Sequence, residues 1–533
     1  MGGLSGSSGV AYPADNPLVS APTPPPSPAE RVLLAGTPLT TAQLAAMLEL
    51  AEPAPHAVGV VLPRTPAPAS QNPVVACRPA VLGAFEDVER LVAEHRVDKV
   101  LVTLPGAMVE PFQRLTASLD RAGIPWRWMP TLADQLAGRT QLRVPRPVTK
   151  SGGVGVDPVR MLDRRPKPLD DDAIRASLAG KVVLITGAGG SIGSELARIV
   201  CRFEPSRLIL VERAENALFD IHGELSRSHP QVARAAVLHD VTDAPATLAM
   251  LRRHKPQVIF HAAAHKHVPM MEEHPSAAIE NNFYGTRAIA EAADQVGVER
   301  FVMISTDKAV NPTSVMGASK RLAELFIQAL NARSETTYCM VRFGNVLGSA
   351  CSVLPIWTRQ LEEGGPLTVT HRDMVRYFMT IPEAAGLVLQ SAAQSDTVIA
   401  GKPTGGGEVF VLDMGEPVRI VDMAERFLRL QGLEPGVDVP VVFTGVRPGE
   451  KLFEELSYDG EDMIPTAHQA VRMLRTSAPQ PAWMDGVTRR FDQLRDAGRR
   501  RGHPWQHASR DAIMAALRDA IPEMRAPALA EAV

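Results

Sequence analysis

The sequence predicts an α/β protein built on doubly wound parallel sheets. Three observations carry that prediction. Apolar β-runs alternate with amphipathic helical stretches from Lys181 to Thr306, and one of those runs ends in a glycine turn that opens a helix. A weaker version of the same alternation stands upstream, between Arg31 and about residue 140. Strands that read as continuous apolar runs need cover on both faces, and right-handed crossover helices supply it.

Composition agrees. At 533 residues the chain exceeds one ordinary domain, so two or three are expected. With 45% hydrophobic and 22% charged residues it reads as globular, and a net charge of -3 gives no reason to expect nucleic acid or an anionic membrane as partner. The four cysteines (Cys77, Cys201, Cys339 and Cys351) form no CxxC pair, which argues against a disulfide framework or a zinc site and fits a reducing cytosol. No apolar run approaches the roughly 18 to 20 residues a bilayer requires, so no membrane span is expected and the expected location is cytoplasmic.

Taken in order, residues 1–30 lack the charged-then-apolar order of a signal peptide. Rich in Pro, Gly and Ser, they read as a disordered tail. Residues 31–145 read as a Rossmann-like domain, with strands RVLLAG, VGVVLP and DKVLVTLP and the one-faced helix FEDVERLVAEHR. Its first turn, AGTPLT, lacks dinucleotide glycine spacing and puts Pro38 where a pyrophosphate would need an amide, leaving a scaffold role or some other ligand. Residues 146–180, broken by prolines and glycines, read as a linker.

From residue 181 the strands KVVLIT, RLILVER, AVLHDVTD, QVIFHAAAH and RFVMIST follow one another with helices between them. Beyond about Gly344 the alternation thins, and a smaller substrate lobe is expected to complete a catalytic domain over residues 181–477. Residues 478–533 read as a helical tail, with the run Arg499–Arg501 on a solvated face.

The turn TGAGGSIGSE spaces Gly187, Gly190 and Gly193 as a variant dinucleotide fingerprint: a tight turn, room for a pyrophosphate, and close packing of helix on sheet. The amides of Ser191 and Ile192 would face phosphate at the helix N-terminus. Glu212 ends the next strand, placed for a ribose 2′-hydroxyl, so NAD is expected; Arg213 beside it could instead greet a 2′-phosphate, which keeps NADP open. Asp240 and Val241 after the third strand would sit near adenine, and Ala262, Ala263 and Ala264 after the fourth leave space for cofactor. Ordinary strand-end packing is the plain alternative for these.

The stretch STDKAVNPTSVMGASK, Ser305 to Lys320, leaves the fifth strand and enters a helix. Read alone, Asp307-Lys308 is first of all a surface ion pair and Met316 a core residue. The motifs TGAGGSIGSEL, AAAHKHVPMME, ISTDKAVNPTSVMGASK, VRFGNVLGS, VTHRDMVRYFMTIPEA and RPGEKLFEEL follow in that order. Together they resemble the bacterial UDP-N-acetylglucosamine 4,6-dehydratases of surface-polysaccharide and glycoprotein synthesis, in the extended short-chain dehydrogenase superfamily. Two departures are visible. No transmembrane region is expected ahead of the first domain, where long members carry one, and the sequence reads SACSV, with Cys351, where SRGSV is expected.

The resemblance implies removal of hydride from sugar C4, loss of the C6 hydroxyl as water, and return of hydride to C6. It implies Asp307 as the acid on the leaving hydroxyl and Lys308 as the base at C5, with Thr306 on the C4 oxygen. The acid needs a raised pKa and the lysine a lowered one, and burial is expected to push both that way. Met316 stands where many relatives keep a tyrosine; it can only pack, so the C4 hydroxyl proton is expected to go to Asp307, and retention at C5 is implied. Lys320, four residues on and on the same helical face, is expected to hold the nicotinamide ribose.

Asn345, Arg376 and Arg447 line the UDP site by similarity, with Glu450 on a ribose hydroxyl, while plain surface salt bridges compete for the arginines. Lys266 contacts substrate or serves a local structural role. His265 and His267 flank it without an acid partner, so no metal is expected. The expected partner is a UDP-sugar, and the expected assembly a homodimer or larger through helices flanking the catalytic sheet. The rival readings are a 4-epimerase and a non-catalytic NAD-binding scaffold.

Overall fold

The computed structural model describes residues 30–51, 54–63, 79–105, 108–131 and, apart from a few short stretches, 161–525. The expected N-terminal tail, most of the expected linker and the Arg499–Arg501 run lie outside the described residues. What is described forms two compact units.

The N-terminal part of the chain forms a five-stranded sheet of β1 (Arg31–Gly36), β2 (His56–Leu62), β3 (Val81–Ala84), β4 (Lys99–Thr103) and β5 (Trp126–Trp128), ordered β3-β2-β1-β4-β5 with β1 parallel to β2 and β4 and β2 parallel to β3, and helices α1 (Pro38–Leu48), α2 (Val88–His95) and α3 (Val109–Arg121). β3 and β5 are too short for an alternation to announce them. At the first turn Thr37 caps α1, its hydroxyl accepting from the Thr40 amide at 3.3 Å while the Thr40 hydroxyl accepts from the Thr37 amide at 3.0 Å. That reciprocal cap consumes the amides a phosphate would use, and Pro38 adds none. The turn is built to start a helix.

The second unit is organised by a nine-stranded sheet. Six parallel strands, β6 (Val182–Thr186), β7 (Arg207–Glu212), β8 (Arg234–Leu238), β9 (Val258–His261), β10 (Arg300–Ile304) and β11 (Thr337–Arg342), run in the order β8-β7-β6-β9-β10-β11. Beyond β11 the sheet continues with the parallel strand Glu408–Leu412 and the antiparallel strands Val471–Leu474 and Met463–Pro465. The segment after Gly344, read as a smaller lobe, therefore returns to this sheet. Side chains alternate between two cores: Leu184, Ile209, Ile259 and Met303 on one face, Ile185, Leu210, Phe260 and Val302 on the other.

Two expectations change here. Inside the stretch read as linker, α4 (Asp171–Leu178) is a helix capped by Asp170, and its Ile174 and Leu178 are fully buried in the second core. Helices α5 (Ser191–Val200), α6 (Glu215–Ser228), α7 (Ala244–His254), α8 (Gly285–Val296) and α9 (Val315–Asn331) follow. The tail is not peripheral. α10 (Pro481–Asp496) and α11 (Arg510–Ala520) insert Met484, Phe491, Ile513 and Leu517 into the first core beside Phe283 and Phe326. Glu280 accepts from Trp505 Nε1 at 2.8 Å and from Arg495, and the Tyr284 hydroxyl donates to Asp492 at 2.8 Å. The chain's own C-terminal helices thus pack on α9 and on the segment leading into α8. No helix among the described residues is long and apolar enough to cross a membrane.

Candidate active site

Parallel register gathers the strand ends into one crevice. Thr186 pairs with His261, His261 with Met303, and Ile304 with Val341, so the segments leaving β6, β9, β10 and β11 share the carboxyl edge on both sides of the β6/β9 switch point. Beneath them His261 is fully engaged, with Nδ1 2.7 Å from the Thr186 hydroxyl and Nε2 2.9 Å from that of Thr286; burial pushes its pKa down to about 3, so it stays neutral.

On the β6 side the glycine turn fits a dinucleotide. Gly187 takes φ +63°, and a Cβ on Gly193 would overlap the Gly187 carbonyl, so α5 can begin this close to the strand only with glycine there. α5 opens at Gly190 with no side-chain cap, leaving its first-turn amides for an anion. The Glu212 carboxylate lies at the turn, accepting from the amides of Gly189 (3.1 Å), Arg213 (3.0 Å) and Ala214 (3.1 Å). A 2′-phosphate there would meet that carboxylate, whereas a 2′-hydroxyl could donate to it. The Arg213 guanidinium turns toward Asn281 Oδ1, 3.3 Å away, and His265. Asp240 is exposed, Val241 is buried, and Ala262 and Ala263 lie against Gly187. Gly193→Ala is therefore expected to abolish dinucleotide binding, as read by the cofactor retained through purification. Unchanged retention would refute this fit.

On the β10 side the ladder continues past the strand ends, Ser305 N donating to Val341 O at 2.7 Å and Asp307 N to Phe343 O at 3.1 Å. This holds Asp307 fully buried. Its Oδ1 accepts from Lys308 Nζ at 3.0 Å and from the Thr306 hydroxyl at 2.9 Å; its Oδ2 is buried with no hydrogen-bond partner among the described residues. Lys308 Nζ also donates to Asn345 Oδ1 at 3.0 Å and lies 3.7 Å from Glu454 Oε1. α9 docks directly on this turn, because a Cβ on Gly317 would overlap the Lys308 carbonyl. Met316 is packed in the core and Lys320 is buried one helical turn on.

The expected lowering of the Lys308 pKa is corrected. Burial alone would push it down, but the carboxylates of Asp307 and Glu454 outweigh burial and the net shift is upward. In the resting site Lys308 is an ammonium. Burial does push Lys320 down, to about 8, against the pull of Glu324.

The residues expected at the UDP site divide. Arg376 is buried and spends its fork on the carbonyls of Val375 (2.8 Å), Leu452 (3.1 Å) and Lys451 (2.7 Å). Arg447 is exposed and pairs with Glu450 at 2.6 Å. Exposed Lys266 donates to Ala350 O at 2.7 Å, and the Ala350 amide donates to the Ser191 hydroxyl at 3.1 Å, so the SACSV loop is tied to the mouth of the glycine turn. Among the described residues no group of His, Cys, Asp or Glu is arranged to hold a metal ion.

Sequence reasoning missed three buried residues. Glu454 reaches Lys308 from RPGEKLFEEL. Under the turn, Glu324 accepts from Arg342 Nε at 2.8 Å and Nη2 at 2.7 Å and from the Ser305 hydroxyl at 2.7 Å. The spacing of Lys320 and Glu324, four apart on one helix, was the available signal; nothing local marks Arg342 inside an apolar strand.

A doubly wound sheet with a glycine turn at the switch point and a buried acid paired with a lysine opposite fits the extended short-chain dehydrogenase class, which includes nucleotide-sugar dehydratases and epimerases. Within it, the model of the family described as polysaccharide biosynthesis protein matches residues 183–476, more than half of the chain, and the chain belongs to that family. It is 44% identical over 388 residues to the capsular polysaccharide biosynthesis protein CapD of Staphylococcus aureus, covering 72% of this chain and 62% of that protein, so it spans less than two thirds of that relative's length. It is 30% identical over 279 residues to an inverting UDP-N-acetylglucosamine 4,6-dehydratase of Campylobacter jejuni (51% of this chain, 76% of that protein). A UDP-glucose 4-epimerase of Rickettsia canadensis is 31% identical over 293 residues (53% and 79%).

Proposed function

We propose that this chain is an NAD-dependent nucleotide-sugar 4,6-dehydratase that converts UDP-N-acetylglucosamine to UDP-2-acetamido-2,6-dideoxy-α-D-xylo-hexos-4-ulose, with retention at C5. The observation that carries the reading is Asp307: a fully buried carboxylate at the carboxyl edge, one oxygen bound to Lys308 and the other without a partner. An epimerase returns hydride to C4 and has no leaving group to protonate at C6, so it has no use for such an acid. NAD, when bound, supplies the acceptor for hydride from C4 and the donor of hydride to C6. The acid-base work falls to the chain. Asp307, ionised beside Lys308, takes the C4 hydroxyl proton and delivers it to the C6 oxygen, which leaves as water. Lys308 handles the C5 proton on a single face, which accounts for retention where Met316 offers no second group. Lys320 holds the nicotinamide ribose, and Thr306 orients the C4 oxygen.

In this reading Arg447, Glu450 and Lys266 meet the nucleotide diphosphate, with Asn345, which accepts from Lys308, and Arg376, which lies 3.8 Å from Glu454, on the sugar side. Incubation of the protein with UDP-N-acetylglucosamine and NAD tests the reading by mass spectrometry. Loss of one water is expected. An unchanged mass with altered C4 configuration would establish the epimerase, and unchanged substrate would leave the scaffold.

A further inference from the structure

A base must be neutral before it can take a proton, and Lys308 is built to be charged. Its ammonium lies between Asp307 Oδ1 at 3.0 Å and Glu454 Oε1 at 3.7 Å, with the Asn345 carbonyl oxygen at 3.0 Å. Before Lys308 can act at C5 its own proton must go elsewhere. Asn345 cannot accept one, and neither can Arg376, whose Nη2 lies 3.8 Å from Glu454 Oε1. Asp307 is already filled with the C4 proton at that stage. The remaining acceptor is Glu454, whose Oε2 is buried with no hydrogen-bond partner among the described residues.

We propose that Glu454 takes the Lys308 proton after Asp307 has been protonated, and holds it through the elimination. The inference rests on the dehydratase reading above. The protons then balance. At rest Asp307 and Glu454 are carboxylates and Lys308 an ammonium. Oxidation at C4, for which a bound nicotinamide would supply the hydride acceptor, sends the hydroxyl proton to Asp307, which removes one of the two charges holding the ammonium. Lys308 passes its proton to Glu454. The C5–H bond then breaks, with its proton going to Lys308; the C6–O bond breaks, and that oxygen leaves with the Asp307 proton as water. When hydride returns to C6, Lys308 gives its proton back to C5 and recovers one from Glu454. Every group ends as it began, and the C4 hydroxyl proton has left in the water. Because Glu454 acts through Lys308, it is a positioning residue, not a group on the substrate.

Glu454→Gln separates this role from a structural one. The variant should still bind NAD and oxidise C4, so near-ultraviolet absorbance of reduced nicotinamide should accumulate. Release of water should fall by about 100-fold or more, the loss typical of a missing acid-base group, and the stalled ketone should not exchange its C5 hydrogen with deuterated solvent. The shape-matched pair Glu454→Asp and Glu454→Asn repeats the comparison with a shorter side chain, so that a folding defect shared by both cancels. The aspartate variant should be at least about tenfold faster. Equal rates in that pair, or water release by Glu454→Gln at the unmodified rate, would overturn the assignment. An unmodified protein that releases no water overturns the dehydratase reading instead, so the two failures are distinguishable.

Discussion

Replacing Asp307 by asparagine is expected to slow turnover by roughly 10³- to 10⁴-fold, the range for loss of a group that both accepts and donates a proton in the reaction, while dinucleotide binding stays unchanged. Asparagine matches aspartate in shape and can still accept from Thr306 and Lys308, so the ladder from Ser305 to Phe343 that seats the turn has no reason to shift. What disappears is the site for the C4 proton. With nowhere for that proton to go, oxidation at C4 should itself fail, so no reduced nicotinamide should accumulate. This is the opposite signature to Glu454→Gln, which should stop after oxidation. The glycine turn and Glu212 stand on β6, α5 and β7 and do not contact Asp307, which is why binding should persist. Measuring cofactor retention and product by mass spectrometry in the same preparation checks both halves. Substantial residual dehydration would remove Asp307 from its role.

Glu324→Gln is expected to destabilise the protein by roughly 3 to 5 kcal/mol, the cost of leaving a buried ion pair with one partner. Arg342 is fully buried and its guanidinium is matched by the Glu324 carboxylate through two hydrogen bonds, with Arg321 3.2 Å away on the same acid and the Tyr458 ring 5.7 Å from Arg342. Glutamine leaves the buried Arg342 guanidinium with no carboxylate partner, while Arg321 keeps Glu523 at 2.8 Å. Such a cost is a large share of the stability of an ordinary domain. It should also reach the site, because Ser305, two residues before Asp307, donates to the same carboxylate.

The pH dependence has a definite sign. Burial would raise the Glu324 carboxyl, but Arg342, Arg321 and Ser305 outweigh it and hold the group at about 2, below its ordinary 4.5. A folded pKa below the unfolded one means stability that is complete above pH 4.5 and is lost as pH falls toward 2, amounting to roughly 3 kcal/mol. Urea midpoints of protein and variant should therefore differ widely at pH 7, and the gap should narrow as pH falls below 4.5 toward 2. A constant gap across that range would refute the account.

The legible features were those whose signal is local. A buried parallel strand must be apolar throughout, so β6, β7, β9 and β10 could be read directly, and a phosphate turn needs glycine at particular spacings, so Gly187, Gly190 and Gly193 announced themselves. The pair Asp307-Lys308 was visible because two charges end an apolar run. Its electrostatic state was not, because Glu454 approaches Lys308 from 146 residues away in the chain (454 − 308). Sequence reasoning weighed burial alone and expected a lowered lysine; the structure adds a second carboxylate, and two anions near one ammonium outweigh its desolvation. The same limit explains α4 and the C-terminal helices, whose amphipathic patterns could be read but whose places in the cores of the catalytic unit could not.

By itself, then, the sequence determined the sheet class and the glycine turn, which depend on neighbours within a few positions, while the roles proposed for Asp307 and Lys308 came from six motifs taken together. Tertiary structure decided which charges meet, Glu454 with Lys308 and Glu324 with Arg342, and packed α10 and α11 on α9. Electrostatic energy depends on distance through space in a medium set by burial, and neither quantity is written in the order of residues.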